Sequence, residues 1–285
     1  MCESRWASEG GEGDDLSLKQ EMQKLYIVKI GGNVIDDETK LDQFLKNFAA
    51  LKENKILVHG GGKIATEISK GLGIEAQMVD GRRITDAETL KIVTMVYGGL
   101  INKKIVAKLV ANGNNAIGLT GADANIILAK KRPVKNGVDY GFVGDVEQIH
   151  AHPIIHLLSM GITPVIAPLT HDGQGNMLNT NADTMASAVA VAMSDTFATD
   201  LIYCFELKGV LEDFSNKESV ISDITYTKYQ DLKGKGIIDK GMIPKMDNSF
   251  DAIKSGVGSV IICHADDLVS IVSNKEKKGT KLSLQ

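Results

Sequence analysis

Two short apolar runs, each cut off by glycines and each followed by a stretch of helical periodicity, limit what this chain can fold into. Leu25-Tyr26-Ile27-Val28-Lys29-Ile30 has the composition of a buried strand and stops at Gly31-Gly32, after which residues 36–54 place Leu41, Phe44, Leu45 and Phe48 at helical spacing. The pattern then repeats. Lys55-Ile56-Leu57-Val58-His59 ends at Gly60-Gly61-Gly62, and a helix is expected over 64–72. Successive strand, glycine-turn, helix units need a crossover between strands, so the strands run parallel and the helices cover the sheet. An α/β fold follows.

The rest of the chain extends this pattern. Gly81-Arg82-Arg83-Ile84-Thr85-Asp86 leads into a long helix, about Ala87 to Ala111, capped by Thr85 or Asp86 and carrying Gly98-Gly99 in its middle. That helix is longer than one sheet face requires, which makes it a candidate subunit interface. A strand is expected over 114–121, and the glycines and alternating apolar residues of 134–146 predict hairpins able to flap over a substrate. Beyond a helix at 152–160 and a strand at 162–166, further strands are expected at 201–204 and 259–263, with helices near 228–233 and over 244–254. No low-complexity linker divides the halves, so one continuous sheet with two lobes is expected.

Composition excludes several classes. The 285 residues, 43% hydrophobic, can bury one large core or two modest ones, and a net charge of −4 offers no general field for nucleic acid or an acidic membrane. Any cationic site must be local. Cys2, Cys204 and Cys263 are too scattered for a disulfide framework or a zinc cluster, and no apolar run approaches the length of a membrane span, which favours a reducing cytoplasm. Residues 1–23 have the composition of a tail, with Gly10-Gly11-Glu12-Gly13-Asp14-Asp15 at their centre.

The chemistry concentrates in Asn179-Thr180-Asn181-Ala182-Asp183, which opens an apolar helical run from Met185 to Met193. Asn181 or Asp183 caps that helix, and the free N–H groups and positive dipole end beside the cap favour an anion, read here as phosphate. Lys29, at the end of the first strand, and Lys245, in Gly241-Met242-Ile243-Pro244-Lys245, are placed to converge on Asp183. A carboxylate between two lysines keeps both charged and fixes where they point, which suits phosphoryl transfer. The alternative is that Asp183 is only an acid of the helix's first turn. Gly60, Gly62 and Ala65 also satisfy a dinucleotide fingerprint with Asp80 at roughly the expected offset, which leaves a nicotinamide-dependent oxidoreductase open. Against it, another glycine turn, carrying a lysine, comes first in the chain. An arginine of the Arg82-Arg83 pair can clamp a substrate carboxylate.

Lys29-Ile30-Gly31-Gly32, the 59–62 and 81–90 segments, Asn102-Lys103, the 118–123 segment, 177–183 and 241–245 together resemble the acetylglutamate kinases of the amino-acid kinase superfamily, from about Leu25 to the C-terminus. The resemblance implies a three-layer αβα sandwich with a mainly parallel central sheet, of the carbamate kinase-like type. Residues 24–285 would form the kinase domain, about 24–170 the acyl-amino-acid lobe with its dimer helix and about 171–285 the ATP lobe. The implied activity is ATP-dependent phosphorylation of the side-chain carboxylate of N-acetyl-L-glutamate in arginine biosynthesis, with Mg²⁺. N-succinyl-L-glutamate is the alternative substrate and a non-catalytic ligand sensor the alternative function.

Carried over, the phosphate-stabilising lysines fall on Lys29 and Lys245 and their organising aspartate on Asp183. Substrate contacts fall on Gly61, Gly62, Arg83, Asn179 and Asn181. Nucleotide contacts fall on Gly31 and Gly32, on Glu206, Leu207, Lys208, Gly209, Val210 and Leu211, and on Ile237, Ile238 and Asp239. No protein metal ligands are implied. A carboxylate nucleophile is already ionised at neutral pH, so no general base is needed and His59 is a strand-end residue. Phe205-Glu206-Leu207 departs from the Ser/Thr-Asp-Val of many relatives.

Arginine-inhibited relatives carry an apolar N-terminal helix that interlaces dimers into a ring. Here Leu16, Leu18 and Met22 offer too little apolar surface for that. A homodimer insensitive to arginine is expected, and deletion of residues 1–22 should leave sedimentation and activity unchanged; a stable hexamer inhibited by millimolar arginine would contradict this.

Overall fold

The computed structural model describes residues 22–285 except 76, 80, 81, 135, 239, 240, 274 and 275, so the expected tail up to residue 21, Asp80 and Asp239 lie outside the described residues. Eight strands form the central sheet: β1 (Lys24–Ile30), β2 (Asn54–His59), β3 (Ala116–Leu119), β4 (Thr163–Ile166), β5 (Ala198–Phe205), β6 (Asp223–Thr225), β7 (Ser259–His264) and β8 (Thr280–Ser283). Their order is β6-β8-β7-β5-β1-β2-β4-β3. Strands β7, β5, β1, β2, β4 and β3 are mutually parallel, and only the β7–β8 junction is antiparallel. The order of the chain reverses at β1, with β2 on one side and β5 on the other. Crevices outside the carboxyl ends of strands at such a switch point are where open α/β sheets bind ligands.

Both faces of the sheet are covered, which gives three layers and two cores. Along β1 the side chains alternate: Leu25 and Ile27 enter one core, while Tyr26, Val28 and Ile30 enter the other. The first core is closed by the helices Ala182–Met193 and Ile243–Lys254, through Met185, Val189, Met193, Met246 and Phe250. Burying side chains of this kind contributes about 1.5–3 kcal/mol each, so packing rather than helix propensity holds these helices in place. The second core is closed by Glu38–Ala50, through Leu41, Phe44, Leu45 and Phe48, and by the long helical segment that begins at Ala87. Period-two alternation therefore fixes the side on which Lys29 emerges. It lies on the Leu25 and Ile27 face, under the two helices that carry Asp183 and Lys245.

The long helix differs from its expected form. It runs as an α-helix over Ala87–Val93, opens into π geometry over Thr94–Ile101, and resumes as an α-helix over Asn102–Ala111. Gly98 and Gly99, poor α-helix formers, lie inside the wider turn. The expected hairpin is present, but its strands flank the glycine segment: Ile127–Lys131 pairs antiparallel with Gly144–Ile149, in a second sheet completed by Leu169–His171 and Met177–Asn179.

His59 ends β2 fully buried, with Nδ1 2.8 Å from the Gly60 carbonyl and Nε2 3.1 Å from Nδ2 of Asn102. The Asn102 amide nitrogen also donates to the Val165 carbonyl, so the Nε2 of His59 accepts and its Nδ1–H donates. The ring is neutral. Burial pushes its pKa down to about 4, against a weaker opposing effect of the Gly60 carbonyl. The unfolded chain then binds the extra proton between pH 6.5 and 4, so His59 stabilises the fold fully above pH 6.5 and progressively less as pH falls through that window. The expected loss between pH 7 and 5 is about 2 kcal/mol, seen as a falling melting temperature that His59→Gln should flatten.

Candidate active site

The centre of the site is one carboxylate held by two ammonium groups. Nζ of Lys29, on β1, lies 2.6 Å from Oδ1 of Asp183, and Nζ of Lys245, in the first turn of Ile243–Lys254, lies 2.7 Å from Oδ2. The Lys245 contact has hydrogen-bond geometry. The Lys29 contact is a close ion pair of nearly the same length, so each carboxylate oxygen meets one ammonium group. The three side chains are 9%, 22% and 11% exposed for Lys29, Asp183 and Lys245, so little solvent screens them.

Burial alone would raise the Asp183 pKa, but the charges of Lys29 and Lys245 outweigh it and hold it at about 2. Its stabilising contribution is therefore complete above about pH 3.8 and is lost as pH falls toward 2. Lys245 moves the other way. Burial lowers it to about 8, with Asp183 opposing and Lys29 reinforcing the shift. The cap of the helix Ala182–Met193 is Asn181, whose Oδ1 accepts from the N–H groups of Asp183 and Thr184. With Asn181 as cap, Asp183 is released to face the lysines, and the phenol of Tyr203 donates to its main-chain carbonyl at 3.2 Å.

The expected substrate residues gather around one cavity. It has a volume of about 420 Å³ and is lined by Gly61, Gly62, Arg83, Asn179 and Asn181, together with Arg132 and Lys63. Arg83 is anchored through Nη2, which donates to the Gly62 carbonyl at 2.9 Å and to Oγ1 of Thr66 at 2.6 Å, and its guanidinium also interacts with the Tyr97 phenol. Gly61 has φ +146, and a Cβ there would come within 2.2 Å of Cδ1 of Ile101 and 3.3 Å of the Tyr97 ring, both in the π-helical segment. Only glycine lets the turn pass so close. Asn179 donates to Oγ1 of Thr85 at 3.0 Å.

The first glycine turn adjoins the lysines. A Cβ on Gly31 would sit 3.8 Å from Nζ of Lys29, and Gly31 precedes the short helix Gly32–Ile35 without a side-chain cap. The expected nucleotide residues divide. Val210, Leu211 and Ile238 bury their side chains, so only their main chain can meet a ligand, and Ile237 packs partly buried against the same core as Val210 and Ile238. Glu206 pairs with Lys40 at 3.8 Å and Lys208 with Glu218 at 2.7 Å, both on the surface. Gly209 allows the 206–211 loop to pack on Thr280, whose hydroxyl accepts from the Val210 N–H.

Sequence reasoning missed Tyr203, Thr66 and Arg132, and treated Phe205 only as a departure. Arg132 donates through Nε and Nη2 to Oδ1 of Asp145 at 3.0 and 2.6 Å, with Nε also 3.3 Å from Oδ2. Tyr203 was within reach of a register argument, since it lies directly beside Lys29 across the β1–β5 pair. A groove of about 430 Å³ along Gly144–Ile149 carries Glu147 and Asp251 but no cation, so it does not suit an anionic substrate.

The profile described as the amino acid kinase family matches residues 24–264. The chain belongs to that family. An acetylglutamate kinase of Cytophaga hutchinsonii is 72% identical over 92% of this chain and 99% of its own length, which sets the chain among the acetylglutamate kinases. Among solved structures, N-acetylglutamate synthase from Neisseria gonorrhoeae superposes with a TM-score of 0.80 at 17% identity, covering 93% of this chain and 60% of that one. Carbamate kinase from Giardia lamblia superposes with a TM-score of 0.67 at 12% identity, over 92% and 99%. Both share the fold. Membership of the amino acid kinase family removes the dinucleotide reading of Gly60 to Ala65 and supports a kinase rather than a sensor.

Asp183→Asn would leave two buried ammonium groups without their counterion. A loss on the order of 3 kcal/mol is expected, measured by denaturant unfolding at pH 7, and an unchanged midpoint would show that the lysines find another partner.

Proposed function

We propose that this enzyme transfers the γ-phosphoryl group of ATP to the side-chain carboxylate of N-acetyl-L-glutamate, giving N-acetyl-L-glutamyl 5-phosphate, the second step of arginine biosynthesis. The observation that carries the reading is the Lys29–Asp183–Lys245 bridge, with Arg83 lining the cavity that Asn181, the cap of the helix bearing Asp183, also lines. Donor and acceptor are both anions. The chemical problem is to let them approach, and two oriented ammonium groups and glycine N–H groups address it without a general base. Lys29 and Lys245 neutralise the transferring phosphoryl group and Asp183 holds them in line. Arg83 takes the α-carboxylate of the substrate, while Gly61, Gly62, Asn179 and Asn181 surround the acyl-amino acid. Gly31, Gly32 and the main chain of 206–211 and 237–238 hold the nucleotide.

Mg²⁺ held mainly by the phosphate oxygens of ATP would spread the charge of the donor. The lobe of about residues 24–170, which supplies most of the cavity lining, would bind the acyl-amino acid together with Asn179 and Asn181, and about 171–285 would bind most of the ATP. Met95, Leu100 and Val110 are exposed on the long helix, and Ile117 on the edge strand β3, which supports an isologous homodimer through that face. Among the described residues no helix is long and apolar enough to cross a membrane.

The test is ADP release with N-acetyl-L-glutamate, N-succinyl-L-glutamate, free glutamate and aspartate as acceptors. Turnover only with an acylated glutamate is expected, and no turnover with any of them would refute the proposal. Lys245→Ala should lower kcat by about 100-fold or more with little change in KM, and Arg83→Ala should chiefly raise KM for the acyl-amino acid. The kcat/KM profile should fall above about pH 8 as Lys245 loses its proton in the free enzyme.

A further inference from the structure

The two bridge lysines share a contact with an aromatic ring. Phe205 closes β5 two residues after Tyr203, and strand alternation puts both rings on the sheet face that carries Lys29. The rings lie 6.1 Å apart at an interplanar angle of 18°. Nζ of Lys245 sits 3.9 Å from the Phe205 centroid and 5.0 Å from that of Tyr203, and Nζ of Lys29 is 5.6 Å from the Phe205 centroid. These distances are within the range in which an ammonium is attracted to the negative face of an aromatic ring.

We propose that Phe205 is a positioning residue for phosphoryl transfer, its ring face holding the Lys245 ammonium, and more loosely that of Lys29, in the direction Asp183 alone does not fix. An ammonium has three donors on a flexible stem, and one carboxylate oxygen restrains only one of them. A second carboxylate would restrain the group but cancel its charge. A hydroxyl would restrain it by occupying a donor. The face of Phe205 does neither, so Lys245 keeps its charge and its remaining N–H groups for phosphate oxygens.

The groups facing Lys245 from neighbouring elements are Asp183 of the helix Ala182–Met193, Lys29 of β1, and Tyr203 with Phe205 of β5. Of these, Asp183 and the two rings favour its charged form. Burial and Lys29 oppose them, and Lys245 lies low for a lysine, at about 8. Loss of the Phe205 face should move it lower still.

The inference rests on the kinase reading, so the full-length wild-type enzyme is assayed first. Absence of turnover with acylated glutamate there would bring down that reading and this inference with it. With an active wild type, Phe205→Leu should lower kcat about tenfold, leave KM for N-acetyl-L-glutamate within about twofold, and shift the alkaline limb of kcat/KM to lower pH by about half a unit. Phe205→Tyr keeps the ring face and should restore kcat and the limb together. Phe205→Met, similar in bulk, should reproduce the Leu result and serves if the Leu variant folds poorly. Wild-type kcat and an unmoved limb in the Leu or Met variant, or a Tyr variant as impaired as Leu, would overturn the role of Phe205 while leaving the kinase reading intact.

Discussion

Two lysines whose ammonium groups meet at one point repel each other, and the carboxylate of Asp183 makes that arrangement tenable. At an effective dielectric constant near 20, unit charges 4 Å apart interact by about 4 kcal/mol, so one carboxylate touching both ammonium groups more than offsets their repulsion. The three groups come from residues 29, 183 and 245, on β1 and on the first turns of two helices that cover the same face. Any change that slides either helix along the sheet separates the charges. The apolar contacts of Met185, Val189, Met246 and Phe250 therefore do more than stabilise the core: they hold the lysines in register.

The division between Asn181 and Asp183 shows how the local rules serve this. A helix N-terminus can use either residue to satisfy its first amides, and an acid in the first turn gains from the dipole wherever it points. Because Asn181 supplies the cap, Asp183 keeps both oxygens for the lysines while its charge still lies against the positive end of the helix. The dipole and the lysines act in the same direction, and the carboxylate stays ionised despite its burial.

Much of this was legible in the sequence because it rests on short-range rules. Apolar runs ended by glycines gave β1 and β2 with their turns, and the convergence of Lys29, Asp183 and Lys245 followed from where each falls at the end of a strand or the start of a helix. What escaped depends on tertiary neighbours. The π geometry of Thr94–Ile101 reflects the packing of Tyr97 and Ile101 against Gly61, and helical periodicity alone cannot distinguish it from a continuous α-helix. The buried state of Val210, Leu211 and Ile238 depends on a loop folding back on the core, and no periodicity marks such a fold. The role of the Phe205 ring becomes visible only once β5 is known to lie beside β1 with Tyr203 next to Lys29.

The spacing of the sheet also sets the distance over which the proposed reaction would take place. The turns after β1 and β2 follow adjacent parallel strands, Ile30 is in register with His59, and the Gly60 N–H donates to the Ile30 carbonyl at 3.2 Å. Two anions held by the two turns would therefore lie about one strand spacing apart, roughly 5 Å. Without compensation, a pair of unit negative charges at that distance costs about 3 kcal/mol at an effective dielectric constant of 20, and a phosphate carries more than one. Nζ of Lys29 lies 3.8 Å from where a Cβ on Gly31 of the first turn would sit, and Lys245 meets it at Asp183 from the covering helix. If donor and acceptor bind at these neighbouring turns, as proposed, the repulsion between them would arise beside the two lysines that the first strand and the covering helix carry.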